Sequence, residues 1–243
     1  MAPSCMVGRN RGNIHHSWGV KARKRHSLWP LRSLLGNRTF THIAMGDSRL
    51  MTDKLCIDLC SGLGGFSQAF VDAGWEVIRI DYDKRFAEIP FTRIADVRRL
   101  LEDKKFMVLR PEVIITSPDC TYFSRANDWP RPGILGAMTT TGACLEIVAQ
   151  MRPKYWALEN PAEGMLRWFI GAPTRRMRMN SFGYRTVKRT GIWGNIPYPL
   201  APYDAPNRNP KGVKWENGPR DPAVRSAITP AFSKYTFEAV SQP

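Results

Sequence analysis

The sequence predicts an α/β protein built on a doubly wound, Rossmann-like parallel sheet. From Lys54 onward, apolar strand-like runs alternate with helix-like segments, which is the pattern that builds a parallel sheet. Each run ends in a polar or reactive residue, as expected where an open α/β sheet binds its ligand. The chain has 243 residues, of which 43% are hydrophobic. This is enough to bury the core of one domain.

The apolar runs predict five strands, at 55–59, 76–80, 92–95, 112–116 and 155–158. Outside these strands we expect helices over 66–73, 134–151 and 231–240, and a late hairpin that pairs 181–184 with 190–193. Seven prolines between residues 197 and 222 make regular structure improbable there.

Composition narrows the class of protein. The 36 Lys and Arg residues against 21 Asp and Glu give a net charge of +15, which favours DNA or RNA as a partner. No apolar run approaches the length of a membrane span and no secretory signal is evident, so we expect no membrane partner and a cytoplasmic location. Five cysteines, an odd number, favour reduced thiols. All four histidines precede residue 50, which disfavours a His-based metal site or a Ser-His-Asp triad in the remaining chain, so we expect no metal. We also expect the protein to be a monomer.

Residues 1–50 are predicted to be a basic, disordered arm, and residues 51–243 to be the folded domain. The arm contains nine Lys or Arg residues and one acidic residue, Asp47, without a sustained apolar period. Three interpretations stay open: a tail that grips nucleic acid, an Arg-rich targeting sequence, and translation upstream of a start at Met45 or Met51.

The first candidate site is the turn after strand one. Gly62-x-Gly64-Gly65 stands between a strand and a helix, where a ligand can approach the backbone, although a purely structural turn would read the same way. Asp81 ends the next strand and is placed to accept hydrogen bonds from a ribose diol. Asp96 ends the third strand and is a candidate partner for an adenine amino group. For each aspartate, a helix N-cap or a solvated loop position is the alternative.

The second candidate site combines a thiol with a carboxyl group. Cys120 and Glu159 follow the fourth and fifth strands, so both should face one cleft. A thiolate can add to carbon 6 of a pyrimidine, and a carboxylic acid at N3 stabilises the resulting intermediate. A cysteine considered alone is more often a small buried apolar residue.

These residues lie within motifs that resemble those of the cytosine-5 DNA methyltransferases, specifically their small, phage-like members. The stretch from Asp58 to Phe66 resembles the family's S-adenosylmethionine motif, and Pro118-x-Cys120-x-x-Phe-Ser its Pro-Cys loop. Glu159-Asn160 matches its Glu-Asn dipeptide. The segments 183–190 and 225–230 resemble the basic motif and the last motif. The likeness covers about 54–240 in the family's order.

The resemblance implies the S-adenosylmethionine-dependent methyltransferase form of the fold, with S-adenosylmethionine as cofactor and DNA as partner, RNA not being excluded. It implies catalytic roles for Cys120, Glu159, Lys188 and Arg189. The cofactor-binding residues that it implies are Leu59, Cys60, Gly62, Gly64, Gly65, Asp81, Asp96, Pro118 and Ser226. The family's large target-recognition region is reduced here to about 197–222.

The sequence departs from the family beside the nucleophile. Asp119 and Thr121 stand where the family has proline and glutamine. A carboxylate at 119 is expected to raise the pKa of the Cys120 thiol by like-charge repulsion unless Arg125 or another cation compensates. Lys188 stands in an arginine-rich motif and cannot reproduce a bidentate fork.

Two other functions stay open. Ser117-Pro-Asp-Cys120 faintly resembles the loop of amino-group methyltransferases, which need no nucleophile, and a catalytically inert nucleic-acid-binding protein would keep the same fold. In either case a basic surface is expected, because eleven Lys or Arg residues face two acidic ones between Met165 and Arg220. Four aromatic residues in this region are candidates for stacking on bases, with a core position favoured for Trp193: Trp168, Phe169, Trp193 and Trp215.

Overall fold

The computed structural model describes residues 54–124, 133–199, 224 and 226–242. The described residues contain a seven-stranded sheet with the order β3-β2-β1-β4-β5-β7-β6. Strands β1 to β5 are parallel, and β7 runs antiparallel to its neighbours β5 and β6. This doubly wound, Rossmann-like arrangement confirms the predicted fold class. The order of strands reverses between β1 and β4, and open α/β sheets bind ligands at the carboxyl ends of the strands at such a point.

The strands are β1 Leu55–Leu59, β2 Glu76–Asp81, β3 Thr92–Ile94, β4 Val113–Thr116, β5 Tyr155–Pro161, β6 Arg175–Arg178 and β7 Arg189–Gly194. The α-helices are α1 Gln68–Asp72, α2 Val97–Leu100, α3 Lys104–Met107, α4 Ile134–Met151, α5 Leu166–Ile170 and α6 Pro230–Ser241. All five predicted strands and the three predicted helices are present, with small shifts at their ends.

The predicted hairpin is wrong in its first strand. β7 pairs with Arg175–Arg178, whereas Met179–Phe182 forms a turn of 3-10 helix that ends at Gly183. The sequence did not indicate β6, because β6 is an edge strand in which Met177 is the one buried residue among three arginines. Three other predictions fall outside the described residues: the arm over 1–50, Arg125, and the target-recognition region beyond residue 199.

Layers on both faces bury the sheet. On one face, Cys56 and Ile115 pack with Phe70 of α1 and Phe232 of α6. On the other face, Ile57 and its neighbours pack against residues of α2, α3 and α4. Successive residues of β1 and β4 alternate between the two layers, which explains why these strands read as continuous apolar runs.

Helix α4 is long and apolar enough to cross a membrane by length and composition. Its buried residues include Cys144, Ile147 and Met151, which pack against the sheet in the second layer. This is the position of a core helix in an α/β domain, so its apolar character follows from the fold.

Candidate active site

The structure brings three of the four predicted catalytic residues together at the carboxyl ends of β4 and β5. Cys120 follows β4, and Glu159 lies within β5, the adjacent parallel strand. Lys188 immediately precedes β7, which pairs with β5 on its other side. The Lys188 ammonium Nζ lies 3.3 Å from Glu159 Oε1, and both side chains are almost entirely buried.

The thiol is held in its neutral form. Burial, followed by the negative charge of Glu159, raises the pKa of Cys120 to about 11, while Lys188 acts in the opposite direction. Asp119 raises the pKa as predicted, but it ranks behind burial and Glu159. Burial alone would lower the pKa of Lys188; Glu159 and Cys120 outweigh it, so the pKa is raised and the lysine stays charged. The site therefore holds a neutral thiol beside an ion pair whose lysine favours the thiolate and whose carboxylate opposes it.

Thr190 is a site residue that the sequence analysis missed. Its hydroxyl Oγ1 lies 3.4 Å from Glu159 Oε1 and is buried with it. Side chains alternate along β7, so Arg189 is directed away from the face that Thr190 presents to Glu159, and it is exposed. Of the predicted pair Lys188 and Arg189, only Lys188 is shown in contact with Glu159. The alternation of side chains along a strand that begins at residue 189 could have indicated that Thr190, and not Arg189, shares a face with Glu159.

Two hydrogen bonds anchor the nucleophile loop, residues 117–124, to the strand that carries Glu159 and to the helix that follows. Asn160 Nδ2 donates to the Pro118 carbonyl at 3.0 Å, and the Met165 amide donates to the Phe123 carbonyl at 2.8 Å. Phe123 is fully buried. Pro118, predicted to contact cofactor, is thus buried in this anchor.

Asp119 has a structural use. Its side-chain Oδ1 accepts a hydrogen bond of 2.8 Å from the Thr121 amide, and the residue itself is exposed. This is an Asx turn, which fixes the chain immediately after the nucleophile. An aspartate in place of the family's proline therefore shapes the loop by a hydrogen bond.

The glycine loop, residues 61–65, lies against the end of β2. The Gly62 amide donates to Asp81 Oδ2 at 2.8 Å, and the Asp83 amide donates to Asp81 Oδ1 at 2.9 Å. Gly62 has φ +51°, and a Cβ placed on it would meet nothing within 4 Å. Burial raises the pKa of Asp81, although these amides oppose the effect. The predicted loop and the predicted ribose carboxylate are thus adjacent, with open space over Gly62.

The other two glycines serve packing. At Gly64, with φ +73°, a Cβ would lie 2.6 Å from the Arg79 guanidinium carbon, and at Gly65 it would lie 2.5 Å from the Ile228 carbonyl oxygen. Protein atoms therefore fill the space next to both residues. Packing thus accounts for glycine at positions 64 and 65, and a contact of the three glycines with cofactor stays a prediction.

Arg79 is a buried charge that the sequence analysis missed. It is 1% exposed and lies in the middle of β2. Its guanidinium donates to Ser67 Oγ and to the Gly64 carbonyl, at 2.8 and 2.9 Å, and also reaches the Gln68 side chain and the Pro90 carbonyl. The charge thus ties the glycine loop to the start of α1. The sequence could have indicated this buried charge, because an arginine that lies between two isoleucines in a central strand needs polar partners inside the protein.

Asp96 has the alternative role that its position allowed. It is the N-cap of α2, accepting from the Arg98 amide, and its carboxylate is paired with the Arg98 side chain. It also lines a cavity of about 530 Å³ together with Tyr82, Ile94 and Leu100. A role at an adenine ring stays a prediction, with the carboxylate already engaged.

The remaining predicted cofactor residues fall in two places. Leu59 is fully buried in the layer under α4, and its backbone carbonyl accepts from the Ser117 amide at 3.1 Å. Cys60 adopts φ +57°, and its Sγ lies 3.9 Å from Cys144 Sγ, so its side chain also faces the interior. The Ser226 carbonyl accepts from Lys188 Nζ at 3.2 Å, so the segment before α6 closes over the catalytic group. Cys56, Cys60, Cys120 and Cys144 are free thiols.

The site thus combines the carboxyl edge of a Rossmann-like sheet with an open turn at Gly62, an adjacent aspartate and a thiol close to a carboxylate. The chain is 33% identical to the type II methyltransferase M.HindV of Haemophilus influenzae, over 43% of this chain and 36% of that protein. It is 25% identical to the "Probable DNA (cytosine-5)-methyltransferase" of Frog virus 3, over 66% of this chain and 83% of that protein. The match with the first thus spans about a third of that relative's length.

Among solved structures, a mutant of Spodoptera frugiperda DNMT2 is 17% identical with a TM-score of 0.37, covering 63% of this chain and 54% of that one. No protein-family model matches the chain. The chain is thus similar in sequence to a type II methyltransferase and to a probable cytosine-5 DNA methyltransferase, in agreement with the resemblance of its motifs.

Proposed function

We propose that the protein is a DNA cytosine-5 methyltransferase that acts through a covalent Cys120 adduct. The observation that carries the proposal is the convergence of Cys120, Glu159 and Lys188 at the end of two adjacent parallel strands. The two curated relatives support the class of enzyme. We propose that the protein methylates DNA and that it acts in the cytoplasm.

We propose S-adenosylmethionine as the cofactor, held by the glycine loop and Asp81. The residues fit this group, because Gly62 leaves its surroundings open and the buried Asp81 can accept from hydroxyl donors. Tyr82, which follows Asp81, lines an open depression of the surface together with Asp96. When bound, the cofactor would supply an electrophilic methyl group.

The chain's own residues would perform the addition and elimination. The target cytosine must leave the base stack, because attack on carbon 6 is perpendicular to the ring. The Cys120 thiol gives its proton to the Glu159 carboxylate as its sulfur forms a bond to carbon 6, and Glu159 passes that proton to N3. After carbon 5 is methylated, the hydrogen on that carbon leaves as a proton to solvent and the carbon–sulfur bond breaks. The proton on N3 then returns through Glu159 to the sulfur, which restores the thiol.

Lys188 has a double role in this scheme. Its charge lowers the cost of forming a thiolate at Cys120, and its contact with Glu159 fixes the position of the carboxyl group. The Thr190 hydroxyl adds a second contact on the same oxygen. These groups are in place before substrate arrives, which is the condition for efficient acid and base catalysis.

The test is methyl transfer from labelled S-adenosylmethionine to DNA and to RNA, followed by nucleoside analysis. We expect 5-methylcytosine in DNA, no transfer by Cys120→Ser with cofactor binding retained, and a denaturation-resistant adduct of the wild type with DNA that contains 5-fluorocytosine. Asp119→Asn is the matched control in the same loop, because it keeps the acceptor for Thr121 and should keep adduct formation. A methylated amino group as product would support the amino-group reading. No transfer and no adduct would support the inert binder.

A further inference from the structure

The short helix α5 combines a buried anchor with two exposed aromatic rings. Leu166 is fully buried and packs with Phe123 and Trp193. Trp168 and Phe169, by contrast, are 63% and 50% exposed. Large aromatic side chains exposed side by side on one short helix are unusual unless something covers them.

The helix is attached to the nucleophile loop. The Met165 amide, at its first turn, donates to the Phe123 carbonyl three residues after Cys120. Gly164 lies so close to the same carbonyl that a Cβ would approach it to 2.9 Å. The exposed rings therefore stand on an element whose position is fixed relative to the proposed site of base flipping.

The surrounding charge indicates what covers the rings. Between Met165 and Pro199 the sequence has seven Lys or Arg residues and no Asp or Glu. Arg175 and Arg176 are exposed on the edge strand β6, and the Arg167 guanidinium lies 5.9 Å from the centre of the Trp168 ring. An apolar protein surface or a lipid tail would gain little from these charges, whereas the phosphates of DNA would pair with them.

We propose that Trp168 and Phe169 form a stacking element that inserts at the target base pair of duplex DNA, with Arg167 beside them and the arginines that follow in the chain holding the phosphates. Aromatic rings that stack on bases typically contribute enough to change affinity about 10-fold each, and wedging side chains stabilise an unstacked step. The element would occupy the space that the flipped cytosine leaves. This inference rests on the proposed function, because it assigns the step by which the base reaches Cys120.

The experiment measures the binding and methylation of two duplexes, one with a paired target cytosine and one with a mismatch at that cytosine. The variants are Trp168→Ala, Phe169→Ala and the double variant, with Trp168→Phe as the conservative replacement. Phe91→Ala is the matched control, since that ring is 49% exposed and precedes β3, at the opposite edge of the sheet from β6.

We expect the double variant to lose about 10-fold or more in affinity for the paired duplex and distinctly less for the mismatched one, because a mismatch costs less to unstack. The slope of affinity against salt should be unchanged, since no phosphate contact is removed. Trp168→Phe should restore most of the loss, and Phe91→Ala should behave as the wild type.

Equal losses on both duplexes, or none, would overturn the stacking role. So would a loss confined to RNA, or a change of oligomeric state with DNA affinity unchanged, since each would assign the rings to another partner. The binding readout is independent of methyl transfer. If the wild type transfers no methyl group while the variants lose affinity as expected, the proposed function fails and the stacking role stands. If the wild type transfers the methyl group and the variants bind DNA as tightly as the wild type, the stacking role fails and the proposed function stands.

Discussion

Replacing Asp58 with asparagine should remove a specific pH dependence of stability. Asp58 is fully buried in β1; its Oδ2 accepts from Ser67 Oγ at 2.7 Å, and its Oδ1 has no hydrogen-bond partner among the described residues. Burial raises its pKa from 3.8 to about 7, although Ser67 and Arg79 act in the opposite direction. The folded protein therefore holds a proton that the unfolded chain releases.

The sign and size of the effect follow from this difference. Between pH 3.8 and about 7 the folded state binds the extra proton, so the stability associated with Asp58 is complete below this window and is lost as pH rises through it. A shift of about three pKa units corresponds to ~4 kcal/mol. The asparagine variant keeps an acceptor for Ser67 and cannot titrate, so its difference from the wild type must change with pH.

Urea unfolding of both proteins at intervals from pH 4.5 to 8 measures this difference. We expect the wild type to lose ~3 kcal/mol or more relative to Asp58→Asn across the range, as an order of magnitude. A constant offset at all pH values would mean that Arg79 keeps the carboxylate ionised, and the reasoning from burial would be refuted.

Three further results are expected. Gly65→Ala should destabilise the protein by ~1–3 kcal/mol in thermal or urea unfolding, because the new Cβ would lie 2.5 Å from the Ile228 carbonyl oxygen, which is backbone and cannot yield easily. Asp81→Ala should weaken S-adenosylmethionine binding by ~1.5–3 kcal/mol in calorimetry. Asp96→Ala should mainly lower the free energy of unfolding, by ~1 kcal/mol, because it removes the N-cap of α2. Equal effects of the two variants on cofactor affinity would contradict this distinction. Alkylation of Cys120, followed by peptide mass spectrometry, should accelerate nearly tenfold per pH unit between pH 7 and 10, since its pKa is about 11, and a plateau below pH 9 would disagree.

Strands β1, β4 and β5 were predictable because most of their residues are buried and each reads as an apolar run ended by a polar residue. β6 was not, because an edge strand with one buried side chain, Met177, carries no such signal. Cys120 and Glu159 were placed correctly, since parallel strands bring their carboxyl ends to one edge. Arg79 was missed because a charged residue normally indicates solvent, and only three-dimensional contacts with the glycine loop show why burial is tolerated.

The roles of the glycines needed coordinates for a similar reason. Sequence alone marks Gly62, Gly64 and Gly65 equally as a flexible turn. The neighbours that distinguish them come from β2 and from the segment before α6, far away in the chain. A local pattern identifies such a turn, but only its contacts with distant segments show which glycines are required by packing.

The two hydrogen bonds of the nucleophile loop hold Cys120 and Glu159 in a fixed position relative to each other. One bond joins Pro118 to Asn160, the residue next to the carboxylate, and the other joins Phe123 to Met165. Any displacement of the thiol would therefore carry the end of β5 and the start of α5 with it. Under the proposed function, Cys120 and Glu159 would keep their spacing, and the target base would have to move into the reactive geometry.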